Sequence, residues 1–152
     1  MQIQFCLDWL KPGVPGRRAF KMPAAFSLFE EYRRRISAFA PCEISAGATD
    51  RRAGEAGIKI WVCDRGQNSR VVASEALAAL LEKTRDAGAR QLRIQIGGPD
   101  GISKNRLTAL KADLVWSFGP MTLPHELAAV VACEQIYRAW TILRREPYHL
   151  GH

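Results

Sequence analysis

The sequence predicts an α/β protein, a mostly parallel sheet with helices on both faces. Short β-rich apolar runs alternate along the chain with segments of helical periodicity. The chain is also 152 residues long without internal repeats or low-complexity tracts, which suits a single domain, residues 1–152, around one buried core.

Residues 2–7 alternate weakly and open the chain as a strand. Lys11-Pro-Gly-Val-Pro-Gly-Arg-Arg18 is a basic loop punctuated by Pro and Gly. Residues 24–39 place Phe29, Tyr32, Ile36 and Phe39 at helical spacing and turn Arg33, Arg34 and Arg35 largely away. That triplet is either a solvated face or a phosphate contact. Pro41 stops the helix, residues 42–45 form a short strand, and residues 46–57 are small and polar. A strand at 58–63 ends in the turn Asp64-Arg-Gly66. Ser74 caps a helix carrying Leu77, Leu80 and Leu81, which Gly88 terminates. The strand 92–96 runs into a glycine turn, 102–110 form a short helix, 114–118 the last strand, and 124–143 the longest helix. Arg93 and Gln95 stand out in their strand, because a sheet buried on both faces would be nearly all apolar.

The last helix has more apolar surface than one contact needs. Ala129, Ala132, Cys133, Ile136, Ala139, Trp140 and Leu143 form one stripe at three-and-four spacing, and Leu127, Val130, Val131 and Tyr137 extend a second. One stripe packs on the sheet. The other wants a partner, either a second copy in a homodimer or a neighbouring helix of the same chain. Glu134 and Arg138 stand four apart, as in a local ion pair.

Lysine and arginine outnumber aspartate and glutamate by 22 to 15, for a net charge of +7. Most of the cations are arginine, which grips phosphate with two hydrogen bonds and stacks on bases. Arg17, Arg18, Arg33, Arg34 and Arg138 are the candidate RNA contacts. No apolar run is long enough for a bilayer, and the N-terminus lacks a charged region before its apolar residues, so no membrane partner and a cytoplasmic location are expected. The four cysteines (Cys6, Cys42, Cys63 and Cys133) include no C-x-x-C pair and read as small buried hydrophobes of a reduced protein. His149 and His152 form an H-x-x-H pair, but two histidines on a tail make a poor metal site, and no metal is expected.

Chemistry concentrates in the last third. Gly97-Gly98-Pro99-Asp100-Gly101 follows a strand and precedes a helix, at the carboxyl end of a strand where α/β folds bind ligands. It is neither a dinucleotide fingerprint nor a P-loop, and alone it is a tight turn or a ligand contact. Phe118-Gly-Pro-Met-Thr-Leu123 leaves the next strand, again at its carboxyl end. It offers backbone donors and acceptors beside apolar Met121 and Leu123, or serves as a plain connection. His125 lies in the first turn of the last helix, as a ligand contact or as part of its cap. Tyr148 and His149 close the chain beyond Pro147, in a tail outside every core element.

Together these pieces, with Glu134-Gln-Ile-Tyr-Arg-Ala-Trp140 between them, closely resemble the C-terminal region of the SPOUT methyltransferases. Within that class the chain is most similar to the ribosomal RNA large-subunit methyltransferase H family, tightly over residues 91–149 and loosely before. The resemblance implies S-adenosyl-L-methionine as cofactor and methylation of a pseudouridine at N3 in 23S rRNA of assembled ribosomes. It also implies a C-terminal trefoil knot. Cys63, Gly97, Gly98, Phe118, Gly119, Pro120, Met121, Thr122 and Leu123 would bind the cofactor, and the Tyr148–His149 pair would come to the active site with His149 as base. Three features depart from the family pattern. The segment between the second and third strands is shorter by about a helix, the strand before the glycines carries Arg93 and Gln95, and Leu150 stands where relatives usually carry Lys or Arg. A basic RNA-binding module without enzymatic activity is the alternative from another class.

Overall fold

The structure, a computed structural model, describes residues 1–47 and 55–150. Strands β1 (Gln2–Leu7), β2 (Cys42–Ala46), β3 (Ile58–Cys63), β4 (Arg70–Val71), β5 (Gln91–Ile96) and β6 (Leu114–Ser117) form one sheet in the order β2-β1-β5-β3-β6-β4. Every pairing is parallel, as the alternation of elements predicts. Helices α1 (Pro23–Ile36), α2 (Ser74–Asp86), α3 (Lys104–Leu110) and α4 (His125–Leu143) connect the strands, with one-turn 3-10 helices at Gly16–Arg18 and Pro147–His149. The short strand β4 is absent from the sequence reading because two residues leave no periodicity to detect. The stretch 46–57 falls largely outside the described residues.

The sheet has two unequal faces. Ile3, Phe5, Leu7, Trp61, Leu92, Ile94, Ile96, Leu114 and Trp116 point to one side, where α1, α2 and α4 cover them with Phe29, Ile36, Leu77, Leu81, Cys133 and Ile136. The alternate residues Ile58, Ile60 and Val62 of β3 face the other side and pack on Leu110, with Ile102 and Leu107 beside it. Over β1 and β5 that second face is polar. The parallel registers Gln2↔Gln91, Gln4↔Arg93 and Cys6↔Gln95 align its side chains. Gln91 donates to Gln2 at 2.9 Å, Arg93 to Gln91 at 2.8 Å, and Gln95 to the carboxylate of Asp8. Gln95 is only 1% exposed. A buried polar side chain is tolerated when it is bonded, so Arg93 and Gln95 occur in this strand because their neighbours satisfy them.

Element boundaries shift for local reasons. Helix α1 stops at Ile36, three residues early, as Ala38 and Phe39 close tight turns on Arg35 and Ile36. Phe39 keeps its core role outside the helix by stacking on Trp140. Ser74 does not cap α2: Ala73 holds the cap position, and the Ser74 hydroxyl donates to Gln135 of α4 at 2.7 Å. Ser103 caps α3 by accepting from the Arg106 N–H at 3.3 Å. Of the second apolar stripe of α4, Val130 and Tyr137 pack within the chain, Tyr137 against Tyr32 and Phe39. Leu127, 39% exposed, and half-buried Val131 remain at its surface.

Glu126, in the first turn of α4, joins this helix to the start of α1. It is 2% exposed, and its two carboxylate oxygens accept the backbone N–H groups of Lys21 and Met22 at 2.6 and 2.9 Å. Glu126→Ala should leave both donors unpaired beside a void and destabilise the fold by about 2–3 kcal/mol, measurable by urea denaturation. Glu126→Gln, which keeps one acceptor oxygen, should cost less.

Candidate functional site

Because β5, β3 and β6 are neighbours and parallel, the turns at their carboxyl ends meet on one edge of the sheet. Together with the first turns of α4 they enclose a cavity of about 640 Å³. The turn after β5 is closed by the Gly101 N–H donating to the Gly98 carbonyl at 2.9 Å. A Cβ on Gly97 would stand 2.8 Å from the carbonyl carbon of Gly101, so this position has no room for a side chain. A Cβ on Gly98 would meet only Trp9, at 3.8 Å, so the fold itself does not demand glycine there. After β6, Gly119 has φ of 100°, which favours glycine, and its N–H donates to the Ser117 hydroxyl at 3.2 Å. The Arg65 guanidinium reaches from the β3 turn to donate to the Pro120 carbonyl at 2.9 Å, tying the first loop to the third.

Eight of the nine expected cofactor residues line the cavity: Cys63, Gly97, Gly98, Phe118, Gly119, Met121, Thr122 and Leu123. Pro120 is not in the lining, and its carbonyl accepts from Arg65. His125 lines the cavity too, its ring set edge-on against Trp9 with centroids 4.6 Å apart. Burial pushes the Cys63 thiol well up, so it lines the cavity as a neutral group rather than a thiolate. Outside the glycine turn and the 118–123 loop, the sequence reading missed Asp64, Arg65, Ile96, Ile102, Trp116, Pro124 and Ala128. The signal was present, since Asp64-Arg-Gly66 also follows a strand, but only the strand order shows which turns are neighbours.

Tyr148 and His149 are not at this cavity. The Pro147–His149 turn docks on the middle of α4, where the Tyr148 hydroxyl donates to Glu134 at 3.0 Å and lies 3.4 Å from that of Tyr32. Its ring meets Tyr137 edge-on at 4.8 Å, and the Arg138 guanidinium lies over its face at 4.8 Å. Burial, followed by the hydrogen bonds to Tyr32 and Glu134, pushes the Tyr148 hydroxyl well up from its ordinary value. His149 contacts Glu75 and Arg138. The tail is thus packed, against the expectation that it lies outside every core element. His152 lies outside the described residues.

The candidate RNA arginines divide. Arg17 and Arg18 are exposed. Arg34 is exposed and paired with Glu31. Arg33 is engaged, donating to Glu30 at 2.8 and 2.9 Å and to the Cys42 carbonyl at 2.9 Å, so it fastens α1 to β2. Arg138 makes two bonds to Glu134, at 2.9 and 2.7 Å, beneath the tail. Both of these cations are thus engaged within the chain. Among the described residues no helix is long and apolar enough to cross a membrane, and no cluster of three or more His, Cys, Asp or Glu residues could hold a metal ion.

A family model described as "Predicted SPOUT methyltransferase" matches residues 19–149. The chain belongs to the SPOUT methyltransferase family. It is similar to proteins named ribosomal RNA large subunit methyltransferase H. One from Koribacter versatilis is 40% identical over 140 residues, covering 87% of this chain and 92% of the relative. Another from Stenotrophomonas maltophilia is 41% identical over 138 residues, 80% and 86% of the two chains. A third from Methylocella silvestris is 48% identical over 83 residues, 55% and 51% of the two chains. The SPOUT match spans both the cavity turns and the docked tail.

The docked tail should carry stability. Removing residues 148–152 forfeits the Tyr148–Glu134 hydrogen bond and the aromatic contacts, and should lower stability by about 1–3 kcal/mol. The midpoint of chemical denaturation measures this, and Tyr148→Ala should account for most of it.

Proposed function

We propose that this protein is a cytoplasmic methyltransferase of 23S ribosomal RNA that uses S-adenosyl-L-methionine and methylates a pseudouridine at N3 in assembled ribosomes, working as a homodimer. The observation that carries the cofactor assignment is the single cavity formed where the Gly97–Gly101 turn and the 118–123 loop meet at the sheet edge. Its residues suit such a cofactor. Asp64 and Asp100 supply carboxylates for an ammonium and for hydroxyls, Ile102, Phe118 and Leu123 an apolar wall, and Gly98 and Gly119 backbone without side chains. When bound, the cofactor supplies a methyl group already activated on a sulfonium, which departs as a neutral thioether that keeps the carbon–sulfur electron pair.

The protein's share of catalysis is then alignment and the handling of one proton. An imide N–H must lose its proton before its lone pair can attack, and His149 is the base assigned here, with Tyr148 holding the tail around it. The rRNA assignment draws on the names of the relatives and on exposed Arg17, Arg18 and Arg34. The threaded C-terminus rests on family resemblance.

A second copy completes the site. Leu127, Val131, Glu134 and Arg138 lie along one line of α4, at spacings of four, three and four. Two α4 helices crossing antiparallel near Val131 would bury both apolar pairs and set each docked tail beside the other copy's cavity.

Two experiments test this. Gly98→Val should abolish S-adenosylmethionine binding in calorimetry while the fold persists, because a Cβ at this position would meet only Trp9, at 3.8 Å. Unchanged affinity would remove the glycine turn from the binding site, and absence of binding by the unaltered protein would favour the RNA-binding module instead. Leu127→Asp together with Val131→Asp should convert a dimer to a monomer in light scattering and abolish methyl transfer, with the fold retained.

A further inference from the structure

Helices α1 and α4 run side by side in the same direction: Met22 meets Glu126, Phe29 meets Cys133, and Phe39 meets Trp140. Their carboxyl ends therefore come together, roughly 24 Å along α4 from the cavity if counted from Ala128 to Arg144. Between these ends lies an open recess of about 580 Å³, lined by Arg35, Ala38, Phe39, Tyr137, Arg144 and Glu146. The Arg35 guanidinium is held in place: its Nε donates to Glu31 at 2.8 Å, and its carbon lies 5.6 Å from the ring centroids of both Tyr32 and Tyr137. Its two terminal nitrogens remain for another partner. Arg144 and Arg145 are exposed, and neither is in an ion pair among the described residues. With Arg34 beside them, four arginines stand against two carboxylates, Glu31 and Glu146, so the patch is net positive.

Arg145 supplies a second, independent observation. It closes α4 in the left-handed region, with φ of 57°, its N–H donating to the Ile142 carbonyl at 3.0 Å and the Glu146 N–H to the Thr141 carbonyl at 2.9 Å. Glycine is favoured at this position of a helix end because a Cβ strains it. Cations at a helix carboxyl end complement its dipole, which accounts for Arg35 and Arg144. It does not account for Arg145, since an unstrained position of the last turn would serve the dipole as well. We propose that this recess is a second RNA-binding site, in which Arg144, Arg145 and the terminal nitrogens of Arg35 hold backbone phosphates of nucleotides flanking the one that is methylated. The inference rests on the RNA reading above. Two α4 helices crossing antiparallel near Val131 would bring the carboxyl end of one beside the amino end of the other. The recess would then flank the other copy's cavity, about 9 Å along the axis beyond Arg138.

Arg144→Gln combined with Arg145→Gly tests this, since both residues are exposed and neither lines the cavity. The measurements are binding to ribosomes across a series of salt concentrations, cofactor affinity by calorimetry, and the midpoint of chemical denaturation. Ribosome binding should weaken about tenfold or more, and the slope of log Kd against log salt should fall by about 1–2, because fewer counterions are released. Cofactor affinity should not change. The denaturation midpoint should rise, because glycine relieves the left-handed strain at position 145. Weaker RNA binding by a more stable protein is an outcome that a purely structural role cannot produce. If the midpoint rises while ribosome affinity and salt slope stay as they were, the arginines only cap the helix and the proposal is overturned. Arg145→Lys keeps the cation and should bind ribosomes nearly as the unaltered protein does; a loss as large as that of Arg145→Gly would overturn the charge argument. The unaltered protein tests the RNA reading separately: if it does not bind ribosomes at all, that reading falls and this site falls with it.

Discussion

Six strands running in one direction put every carboxyl end on the same edge, and the candidate site exists because of that constraint. Strand β5 is inserted between β1 and β3, and β6 pairs with the other side of β3, so three turns far apart in sequence become neighbours. Each turn is then stiffened locally: Gly97 by close backbone approach, Gly119 by its left-handed conformation, and Arg65 by its bond to Pro120. The fourth wall is the start of α4, and Glu126 fixes it. By holding the N–H groups of Lys21 and Met22, this buried carboxylate anchors the entry to α1 against the residue next to His125. Site geometry here follows from strand direction and one long-range carboxylate, neither of which belongs to the cavity lining.

Most of the fold was legible because it depends on local pattern. The apolar runs at 58–63 and 92–96, the helical spacing of Phe29, Tyr32 and Ile36, and the glycine turn gave strands, helices and ligand-bearing loops close to their observed bounds. What was not legible depends on partners distant in sequence. Ser74 looks like a cap but is claimed by Gln135, 61 residues away. Glu126 looks like a first-turn acid complementing the helix dipole, and becomes a clamp only when α1 is beside it. Asp64 and Arg65 belong to the cavity because β3 lies between β5 and β6, an order that periodicity does not encode.

Net charge proved a poorer guide than the location of each cation. Arg93 and Arg106 satisfy the polar sheet face, Arg106 by its bond to Asp8 at 3.0 Å, while Arg33 and Arg138 hold α1 to β2 and the tail to α4. A guanidinium has five donors in a planar fork and suits such internal bridging as well as phosphate. The surplus that makes the chain basic is therefore partly structural, and what is left for a polyanion lies on exposed positions such as Arg17 and Arg18.

Helix α4 binds these observations together. Its first turns line the cavity through His125 and Ala128, and its middle seats the tail through Glu134, Tyr137 and Arg138. Ten residues separate Ala128 from Arg138, roughly 15 Å along the axis, too far for a docked His149 to reach its own cavity. If the tail served the cavity of its own chain it would have to undock, giving up the Tyr148–Glu134 bond, the Tyr137 contact and the cation over its ring, together roughly 1–3 kcal/mol. The proposed antiparallel pair of α4 helices would avoid that cost, because each tail would keep its seat and the other copy's cavity would come to it. It would also bury Leu127 and Val131, the part of the second apolar stripe that Tyr32 and Phe39 leave uncovered. The seating of the tail and the leftover apolar surface thus favour the same arrangement for independent physical reasons.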